Sequence, residues 1–593
     1  MFPRDSPTVT PSDPRYYYLA NFERALAWIA QRYDDLLVQE ETDFLRAFAG
    51  VPLASRALLV RMLMRRGDVF RTSRLDYDEI GDTQAAIAPL AALGWIDTTP
   101  VLDLDLLFTL LTKPELRAIF GNALDPAARK AEWLAHLGAT HTEPRPYSAW
   151  RPDAPDAVIR VTSTPLCERL RVMFFGNAYQ QWSEFVLADL GIYRYEPVEF
   201  DVSSRAFQSR DDIDTYLGMH ACRAALELGD ALDLDAVLQA VHDAQSDNAW
   251  LETRRAKLFY QIGQHCERLR DWDRARIAYR ASSYPGARHR LIRVLELSAC
   301  IDDAWTLALD AMHTPRNDEE RQRVARMMPR LKRLRAARGE MASHARFDVI
   351  ASEAPAPIAR IDRVLPRPRD GERVEWVALN ALTRDDAPVH YVENTLLNAL
   401  FGLLCWPAIF APVPGAFFHP FQSGPADLHA PDFEARRATI FAACFAELES
   451  DAYRATILER FTSKYGIQSP FVAWPALSAD LLTLALDCIP AADLARCFER
   501  LLSDIQANRS GLPDLIQFWP AERRYRLIEV KGPGDRLQDN QLRWIGFCGS
   551  HGVPVDVLHV TWRDEADNEA DDDADDATRG ASLDTRSDPA HTR

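Results

Sequence analysis

The residues best suited to chemistry lie near the C-terminal end of the sequence, in the pattern Pro-Asp514-(x14)-Glu529-x-Lys531. Carboxylate oxygens are the protein ligands that Mg²⁺ and Mn²⁺ prefer. Two carboxylates on neighbouring strands, together with the main-chain carbonyl oxygen of Val530, can hold such ions, which generate hydroxide and stabilise a leaving oxygen. Lys531 is suited to orient or deprotonate the attacking water, or to neutralise the charge on the phosphate. The pattern therefore predicts metal-dependent hydrolysis of phosphodiesters.

The hydrophobic pattern around these residues predicts the strands that must position them. An apolar run at 515–519, a polar turn, and an alternating run at 525–531 predict a hairpin that brings Asp514 close to Glu529. Because side chains alternate along a strand, Glu529 and Lys531 lie on one face of the second strand.

Two further elements complete this unit of the sequence. A helix is predicted from Arg536 to about Gly549, with Asp535 as its N-cap, and a third strand is predicted at 553–560. The order strand, strand, helix, strand around Pro-Asp-(x14)-Glu-x-Lys indicates an α/β core of the restriction-endonuclease-like, PD-(D/E)xK type.

Two polar residues interrupt apolar helical stripes near this core. Glu393 is predicted on the buried stripe of a helix at 391–406, where an unpaired charge is costly and a metal ion would satisfy it. The alternative is a carboxylate at a helix end, in solvent or paired with an arginine. Gln541 lies on the sheet-facing stripe of the helix after Lys531 and could donate a hydrogen bond to a metal-bound water or a phosphate oxygen. The alternative is a polar residue at the edge of that stripe.

The N-terminal region, residues 1–105, is predicted to be helical and winged-helix-like. An amphipathic helix at 55–67 is followed by a strand or wing at 70–74. Four arginines of this segment are candidate contacts to DNA phosphates: Arg61, Arg65, Arg66 and Arg71. The alternative, a solvated charged face of a helix, stays open.

The rest of the chain predicts a multidomain, mostly α-helical protein. Residues 106–229 form a helical linker region, and residues 230–350 form helical repeats like those of tetratricopeptide (TPR) proteins, on the spacing of Gly263, Ala275 and Tyr279. A Pro-rich linker is predicted at 351–370. The nuclease domain then covers 371–563, and an acidic, low-complexity segment at 564–593 is predicted to be disordered.

Composition excludes several classes of protein. Hydrophobic residues make up 47% and charged residues 26% of the 593 positions, which excludes a fibrous or wholly disordered chain. The sequence has no run of about 18 apolar residues and no basic-then-apolar leader, so a soluble, cytoplasmic protein without membrane contact is expected. The nine cysteines stand singly, which disfavours disulfides or a structural zinc site. A net charge of −18 disfavours nucleic acid at face value, but it does not exclude a local basic groove.

Three segments carry a family resemblance: Gly511-Leu-Pro-Asp-Leu; Leu527-Ile-Glu-Val-Lys-Gly-Pro-Gly-Asp-Arg-Leu537 followed by Gln541; and Glu393-Asn-Thr-Leu-Leu-Asn-Ala-Leu-Phe-Gly402. They resemble the Fanconi-anaemia-associated nucleases with a C-terminal VRR-NUC (virus-type replication–repair nuclease) domain, in their bacterial form. Residues 61–79 and 173–177 extend the resemblance upstream.

The resemblance implies an enzyme that cleaves branched or 5′-flap DNA during interstrand-crosslink repair. The implied activities are a 5′-flap endonuclease and a 5′→3′ exonuclease of the phosphodiesterase I type, dependent on Mg²⁺ or Mn²⁺. The implied metal ligands are Glu393, Asp514, Glu529 and the Val530 carbonyl, with Lys531 catalytic.

The family also binds a 5′-terminal phosphate through basic residues, for which Arg509 and Arg536 are candidates. No ubiquitin-binding zinc finger is expected, and the protein is expected at the bacterial nucleoid. Two alternatives stay open: an endonuclease like the Holliday-junction resolvases, and a catalytically inactive DNA-binding or repeat scaffold.

Overall fold

The computed structural model describes residues 14–121, 125–184, 193–228, 233–337, 359–368 and 371–563. Two compact units divide the chain: Met1–Leu258 with Pro412–Gln422, and Phe259–Ala411 with Ser423–Arg593. The segment predicted to be a disordered acidic tail, 564–593, lies outside the described residues. None of the described helices combines the length and the apolar character that crossing a bilayer requires.

The first unit is built mainly of helices. Its described α-helices are Tyr17–Arg32, Gln39–Gly50, Leu53–Leu63, Thr83–Ala92, Leu104–Leu110, Lys113–Phe120, Lys130–Gly138, Tyr147–Trp150, Thr164–Phe175, Arg210–Leu228, Leu234–Asp243 and the first half of Ala249–Arg268. Its strands are β1 Val69–Arg71, β2 Ile96–Asp97, β3 Val101–Leu102, β4 Arg145–Pro146 and β5 Val158–Val161.

A small antiparallel sheet in the order β1-β5-β2 forms the predicted wing. The preceding helix ends at Leu63, before the predicted end at Gly67, and Gly67 takes a φ of +88° in the turn into β1. β5 comes from residues 158–161, within the region predicted as a helical linker, so the wing draws on chain beyond residue 105. A four-residue central strand of a small sheet gives only a short apolar run, which resembles a helical segment in sequence.

A close contact requires glycine at the end of the segment 173–177. Gly176 has a φ of +66°, and a Cβ atom there would lie 2.6 Å from the Phe418 ring and 2.9 Å from the Cβ of Ala206. Only glycine accommodates both the backbone conformation and the contact. The adjacent Phe175 ring also packs edge-on against His419, 5.0 Å between ring centroids. These residues thus hold the segment Pro412–Gln422 within the first unit.

The second unit contains a five-stranded mixed sheet. Its strands are β6 Ala359–Leu365, β7 Val389–Tyr391, β8 Leu515–Trp519, β9 Arg524–Lys531 and β10 Val555–Trp562, in the spatial order β6-β10-β9-β8-β7. β10 is parallel to β6 and β9, whereas β7, β8 and β9 pair antiparallel. The predicted hairpin and the third strand are therefore confirmed.

One face of this sheet supplies the core of the domain predicted at 371–563. The buried side chains Val389, Leu515, Ile528, Val530, Leu558 and Val560 pack with Ala378 of the helix Val374–Leu382. Strand β6 lies within the segment predicted as a Pro-rich linker. It occupies a sheet edge and most of its residues are exposed, so its sequence lacks the apolar alternation that marks a half-buried strand.

Helices surround the sheet and precede it in the second unit. The described α-helices are the second half of Ala249–Arg268, Trp272–Ala281, Ala287–Leu297, Ile301–His313, Asp318–Ala337, Val374–Leu382, Leu396–Leu404, Trp406–Ile409, Ala438–Glu449, Tyr453–Ser463, Ala479–Cys488, Ala491–Ser503, Ile505–Asn508 and Asp539–His551. Short 3-10 helices occur in both units at Pro14–Tyr16, Thr72–Arg74, Val202–Ser204, Ala435–Arg437, Trp474–Ala476 and Pro520–Glu522.

The predicted repeat region is a series of helical hairpins. Its helices pack pairwise in chain order, and Gly263 lies directly against the ring of Tyr279 on the next helix. A Cβ atom at position 263 would be 2.5 Å from that ring, and Tyr279 is only 2% exposed. The small residue therefore permits the close helix approach that the spacing predicts.

We predict that Gly263→Ala destabilises the fold although alanine is the better helix former. The buried Tyr279 ring cannot move aside, and overpacking of this kind costs about 1–3 kcal/mol. Gly218→Ala is the matched control, because no atom lies within 4 Å of a Cβ built in the helix Arg210–Leu228. That variant should gain up to about 1 kcal/mol from helix propensity. Denaturant unfolding of both variants tests the contact, and equal stabilisation by both would contradict it.

Candidate active site

The strand ends of β7, β8 and β9 bring the candidate residues together. Leu515 pairs with Tyr391 of β7 and with Ile528 of β9, so Asp514, one residue further, lies opposite Glu529. The main-chain N–H of Val392 donates a hydrogen bond to the Asp514 carbonyl oxygen at 2.8 Å. Side chains opposite each other on antiparallel strands lie about 5 Å apart at their Cβ atoms. The hairpin thus places the two carboxylates side by side.

A glycine before Asp514 allows the loop to approach the helix behind it. Gly511 has a φ of +89°, and a Cβ atom there would lie 2.7 Å from the main-chain carbon of Asn540. Since Asn540 lies in the first turn of the helix Asp539–His551, the loop is fixed against that helix. The main-chain N–H of Val530 then donates a 2.9 Å hydrogen bond to Asp514 Oδ2, which sets the orientation of the carboxylate.

Glu529 is a fully buried carboxylate. Its exposed fraction is 0%, and that of Lys531 is 8%. Lys531 Nζ lies 2.8 Å from Glu529 Oε1. No group in the described part of the chain donates a hydrogen bond to the other oxygen, Oε2. A buried carboxylate oxygen without a donor is costly, so this position is suited to a cation.

The two central carboxyl groups hold their protons unusually strongly. Burial raises the pKa of Asp514 from 3.8 to about 6; the Val530 N–H opposes this shift and the Glu393 charge adds to it. Burial and then the charge of Asp514 raise the pKa of Glu529 from 4.5 to about 8, against the lowering effect of Lys531. Carboxylates that repel each other in a buried site are arranged as cation ligands are.

Glu393 reaches the same site, but not from a helix as predicted. It lies in the turn between β7 and the helix Leu396–Leu404, where Asn394 has a φ of +50°. The apolar spacing of the helix extends backwards in the sequence through position 393, although the helix itself begins three residues later. The Tyr391 hydroxyl donates a hydrogen bond to Glu393 Oε2. The main-chain N–H of the preceding Val392 donates a hydrogen bond to the Asp514 carbonyl oxygen, and the Glu393 charge contributes to the raised pKa of both Asp514 and Glu529.

Sequence reasoning missed a fourth carboxylate, Glu375. It lies in the first turn of the helix Val374–Leu382, and its charge contributes to the raised pKa of Asp514 and Tyr391. Its Oε2 atom is buried, and no described group donates a hydrogen bond to it. Nothing in the local sequence signals this role, because only the tertiary packing of the helix brings Glu375 near Asp514.

Gln541 caps its own helix. The helix begins at Asp539 rather than Arg536, and Gln541 Oε1 accepts a 2.8 Å hydrogen bond from the main-chain N–H of Gln538. This is one half of a capping box. Asp535, predicted as the N-cap, instead accepts a 3.0 Å hydrogen bond from the N–H of Gly532 in the turn after Lys531. The amide oxygen of Gln541 is therefore engaged in a helix cap.

Three of the four N-terminal arginines are engaged within the first unit. Arg61 Nη2 lies 2.6 Å from Glu79 Oε1, and its guanidinium stacks over the Tyr18 ring. Arg65 donates a 2.9 Å hydrogen bond to the carbonyl oxygen of Arg74.

Arg71 is the clearest departure from the sequence prediction. It is buried, with Nε 2.8 Å from Asp156 Oδ2 and Nη1 2.7 Å from Glu115 Oε1. A guanidinium neutralised by two carboxylates in the core stabilises the wing and is not available to a phosphate. The partners Glu115 and Asp156 lie far along the chain, so the sequence gives no sign of the pairing. Arg66 is exposed.

The two candidate phosphate contacts of the second unit lie on either side of the carboxylates in sequence. Arg536 is exposed in the turn after Lys531. Arg509 is half-buried and lines a cavity of about 640 Å³ together with Asn394 and Asn398. Because Asn394 follows Glu393 directly, this cavity adjoins the carboxylate site.

The donor set suits a hard divalent cation. All the candidate ligands are oxygens: three carboxylates and the Val530 carbonyl. Among the described residues, no three or more His, Cys, Asp or Glu side chains are grouped closely enough to hold a metal ion by themselves. Mg²⁺ commonly binds one or two carboxylates and completes its shell with water and substrate phosphate. The buried, donor-free oxygen of Glu529 therefore fits such an ion.

We predict that, without divalent cations, these carboxyl groups make stability fall as pH rises. Both pKa values are raised by folding, so the folded state keeps protons that the unfolded chain has released between about pH 4 and 8. Their contribution is complete below the unfolded pKa values and is lost as pH rises through 6 and 8. In EDTA, the Tm of the parent protein should fall more between pH 5.5 and 8.5 than that of Asp514→Asn/Glu529→Gln.

The same double variant serves as the control for a cation. Added Mn²⁺ should raise the Tm of the parent, and more at pH 8.5 than at pH 5.5, because binding displaces the protons. It should leave the Tm of the double variant unchanged. Parallel pH profiles of the two proteins, with equal responses to Mn²⁺, would contradict the assigned protonation.

Family models and relatives agree with this architecture. The models described as FAN1, HTH domain, as Fanconi anemia-associated nuclease SAP domain and as VRR-NUC domain match residues 16–97, 101–150 and 448–562. The Fanconi-associated nuclease 1 homolog of Pseudomonas aeruginosa is 51% identical over 94% of this chain and 98% of its own length. Fanconi-associated nuclease 1 of Danio rerio is 25% identical over 92% of this chain, which spans 64% of that relative.

Solved structures give the same result. A crystal structure of paFAN1 bound to DNA with a 2-nucleotide 5′ flap and a gap matches with a TM-score of 0.87 and 51% identity, over 94% of this chain and all of that one. A second, with a 1-nucleotide 5′ flap, matches with a TM-score of 0.86 over 93% of this chain. A VRR-NUC domain implies dependence on divalent cations. This chain belongs to the Fanconi-associated nuclease 1 family and is a nuclease.

Proposed function

We propose that this nuclease cleaves DNA that carries a 5′ flap, as an endonuclease near the branch and as a 5′→3′ exonuclease, in the repair of interstrand crosslinks. The observation that carries the proposal is the convergence of Asp514, Glu529 and Glu393 at adjacent strand ends, with Lys531 bound to Glu529. The 51% identity to a protein crystallised with 5′-flap DNA supports the choice of substrate.

The proposed metal ligands are Glu393, Asp514, Glu529 and the Val530 carbonyl, and the proposed ion is Mg²⁺ or Mn²⁺. When bound, the ion would lower the pKa of a water molecule and offset the charge that develops on the phosphate. The chain's own contribution is orientation: the Val530 N–H fixes Asp514, and the Tyr391 hydroxyl fixes Glu393.

Lys531 has two parts in the proposed reaction. It keeps one oxygen of the buried Glu529 neutralised at 2.8 Å, which allows this carboxylate to remain in an apolar environment. With DNA bound, its ammonium group would face the scissile phosphate, orient the attacking water and offset negative charge. Arg509 and Arg536 are proposed to bind phosphates next to the cleaved bond.

A branched DNA substrate would place the enzyme at the bacterial nucleoid, in the cytoplasm. Recruitment through a ubiquitin-binding zinc finger forms no part of the proposed activity, because no two cysteines have the Cys-x-x-Cys spacing that such fingers use.

We predict that Glu529→Gln lowers kcat on a labelled 5′-flap substrate by at least about 10²-fold, because the amide cannot neutralise a cation. Lys531→Met should lower kcat by about 10²–10⁴-fold. Glu522→Gln is the matched control. It makes the same isosteric change in the exposed turn of the same hairpin, seven residues before Glu529 in the sequence.

Product mapping on 5′-flap, 3′-flap and four-way-junction DNA in Mg²⁺ or Mn²⁺ distinguishes the alternatives. The proposal expects asymmetric cuts near the 5′ flap. Symmetric paired cuts across a four-way junction would instead indicate a resolvase. Binding without any product from the parent protein would indicate an inactive scaffold. Full activity of Glu529→Gln would refute the assigned site.

A further inference from the structure

An exposed tryptophan lies beside the carboxylate site. Trp376, in the first turn of the helix Val374–Leu382, is 45% exposed, whereas most large aromatic side chains of the second unit are buried. Its indole stacks on the Tyr391 ring, with 5.5 Å between centroids and 27° between planes. One face of the indole is thus supported by Tyr391, and much of the rest remains accessible.

The tryptophan is linked to the candidate metal ligands through its two neighbours. Tyr391, on which it stacks, donates a hydrogen bond to Glu393. Glu375, which precedes it, contributes electrostatically to the pKa of Asp514. The helix that carries Trp376 packs on β7 and β9, the strands that lead to Glu393 and Glu529. Trp376 therefore lies within a side chain's reach of the site that would hold the scissile phosphate.

The local chemistry suits DNA with unpaired bases. Aromatic side chains stack on nucleobases of any sequence, since every base presents a π-face. The indole is held by its contact with Tyr391, so stacking a base on it costs little conformational entropy. Arg373, three residues before Trp376 at the start of the helix, is exposed and adds a positive charge beside it.

We propose that Trp376 is a stacking platform for an unpaired nucleobase next to the scissile phosphate. This inference rests on the proposed cleavage of flap DNA and adds to it a binding residue outside the metal site. Tyr391 contacts both Trp376 and Glu393. A base stacked on Trp376 would therefore hold the flap strand in a fixed position relative to Glu393. The platform would favour substrates in which bases near the cleaved bond are not paired.

The test measures binding in the Glu529→Gln background, in which cleavage is slowed by at least about 10²-fold. The probe is 5′-flap DNA with 2-aminopurine at successive unpaired positions, in Ca²⁺ or Mn²⁺. Stacking on Trp376 should quench 2-aminopurine fluorescence at one position. Trp376→Leu, which keeps an apolar side chain without a ring, should abolish that quenching and weaken flap binding by about 10-fold. Trp376→Phe should retain both to within about 3-fold.

A fully paired duplex is the matched substrate, and the Leu variant should bind it as the parent does. Unfolding midpoints of the variants report whether the fold is intact. If Trp376→Leu does not fold, the proposal is still tested by 2-aminopurine quenching, which should occur at the same position in the parent and in Trp376→Phe. Equal flap binding by the Leu variant, or no quenching at any position, would overturn the platform. If the unsubstituted protein does not cleave flap DNA, the proposed function is overturned instead.

Discussion

The site depends on the burial of negative charge. Glu529 is fully buried beside Asp514, whose charge adds to the cost of ionising it. Removing one charged carboxylate from water already costs several kcal/mol in a folded protein, and a second close by adds repulsion. Lys531 neutralises one oxygen of Glu529 and leaves the other without a donor. The fold therefore buries more negative charge than Lys531 neutralises, and a divalent cation would balance the remainder.

The rest of the second unit holds this unfavourable arrangement in place. Hydrogen bonds between β7, β8 and β9 fix the strand ends, and the packed face below them, from Val389 to Val560, prevents their separation. The helical repeats contribute as well. Arg326 of the helix Asp318–Ala337 lies 2.6 Å from Asp539, and Arg543 donates a hydrogen bond to Gln322, so the repeat region is joined to the helix behind the Gly511 loop.

The sequence was sufficient to predict those elements whose determining residues lie close together in the chain. Strand alternation and the Pro-Asp-(x14)-Glu-x-Lys spacing predicted the β-hairpin, and the spacing of Gly263, Ala275 and Tyr279 predicted helical hairpins; the structure contains both. Prediction from sequence failed where a strand or a side chain pairs with a residue that is distant in the sequence. β5, at residues 158–161, completes the wing from a distant part of the chain. Arg71 forms ion pairs with the distant Asp156 and Glu115. Glu375 lies near Asp514 only because of the packing of its helix. The edge strand β6 was missed because an exposed strand needs no apolar pattern.

The most direct test is the position of a cation in crystals of the protein grown with Mn²⁺, located by its anomalous scattering. We expect a peak within coordination distance of Asp514 and Glu529, beside the Val530 carbonyl and on the side facing Glu393. A protein that is active in Mn²⁺ but shows its bound ion elsewhere, with Glu529 still paired only to Lys531, would contradict it.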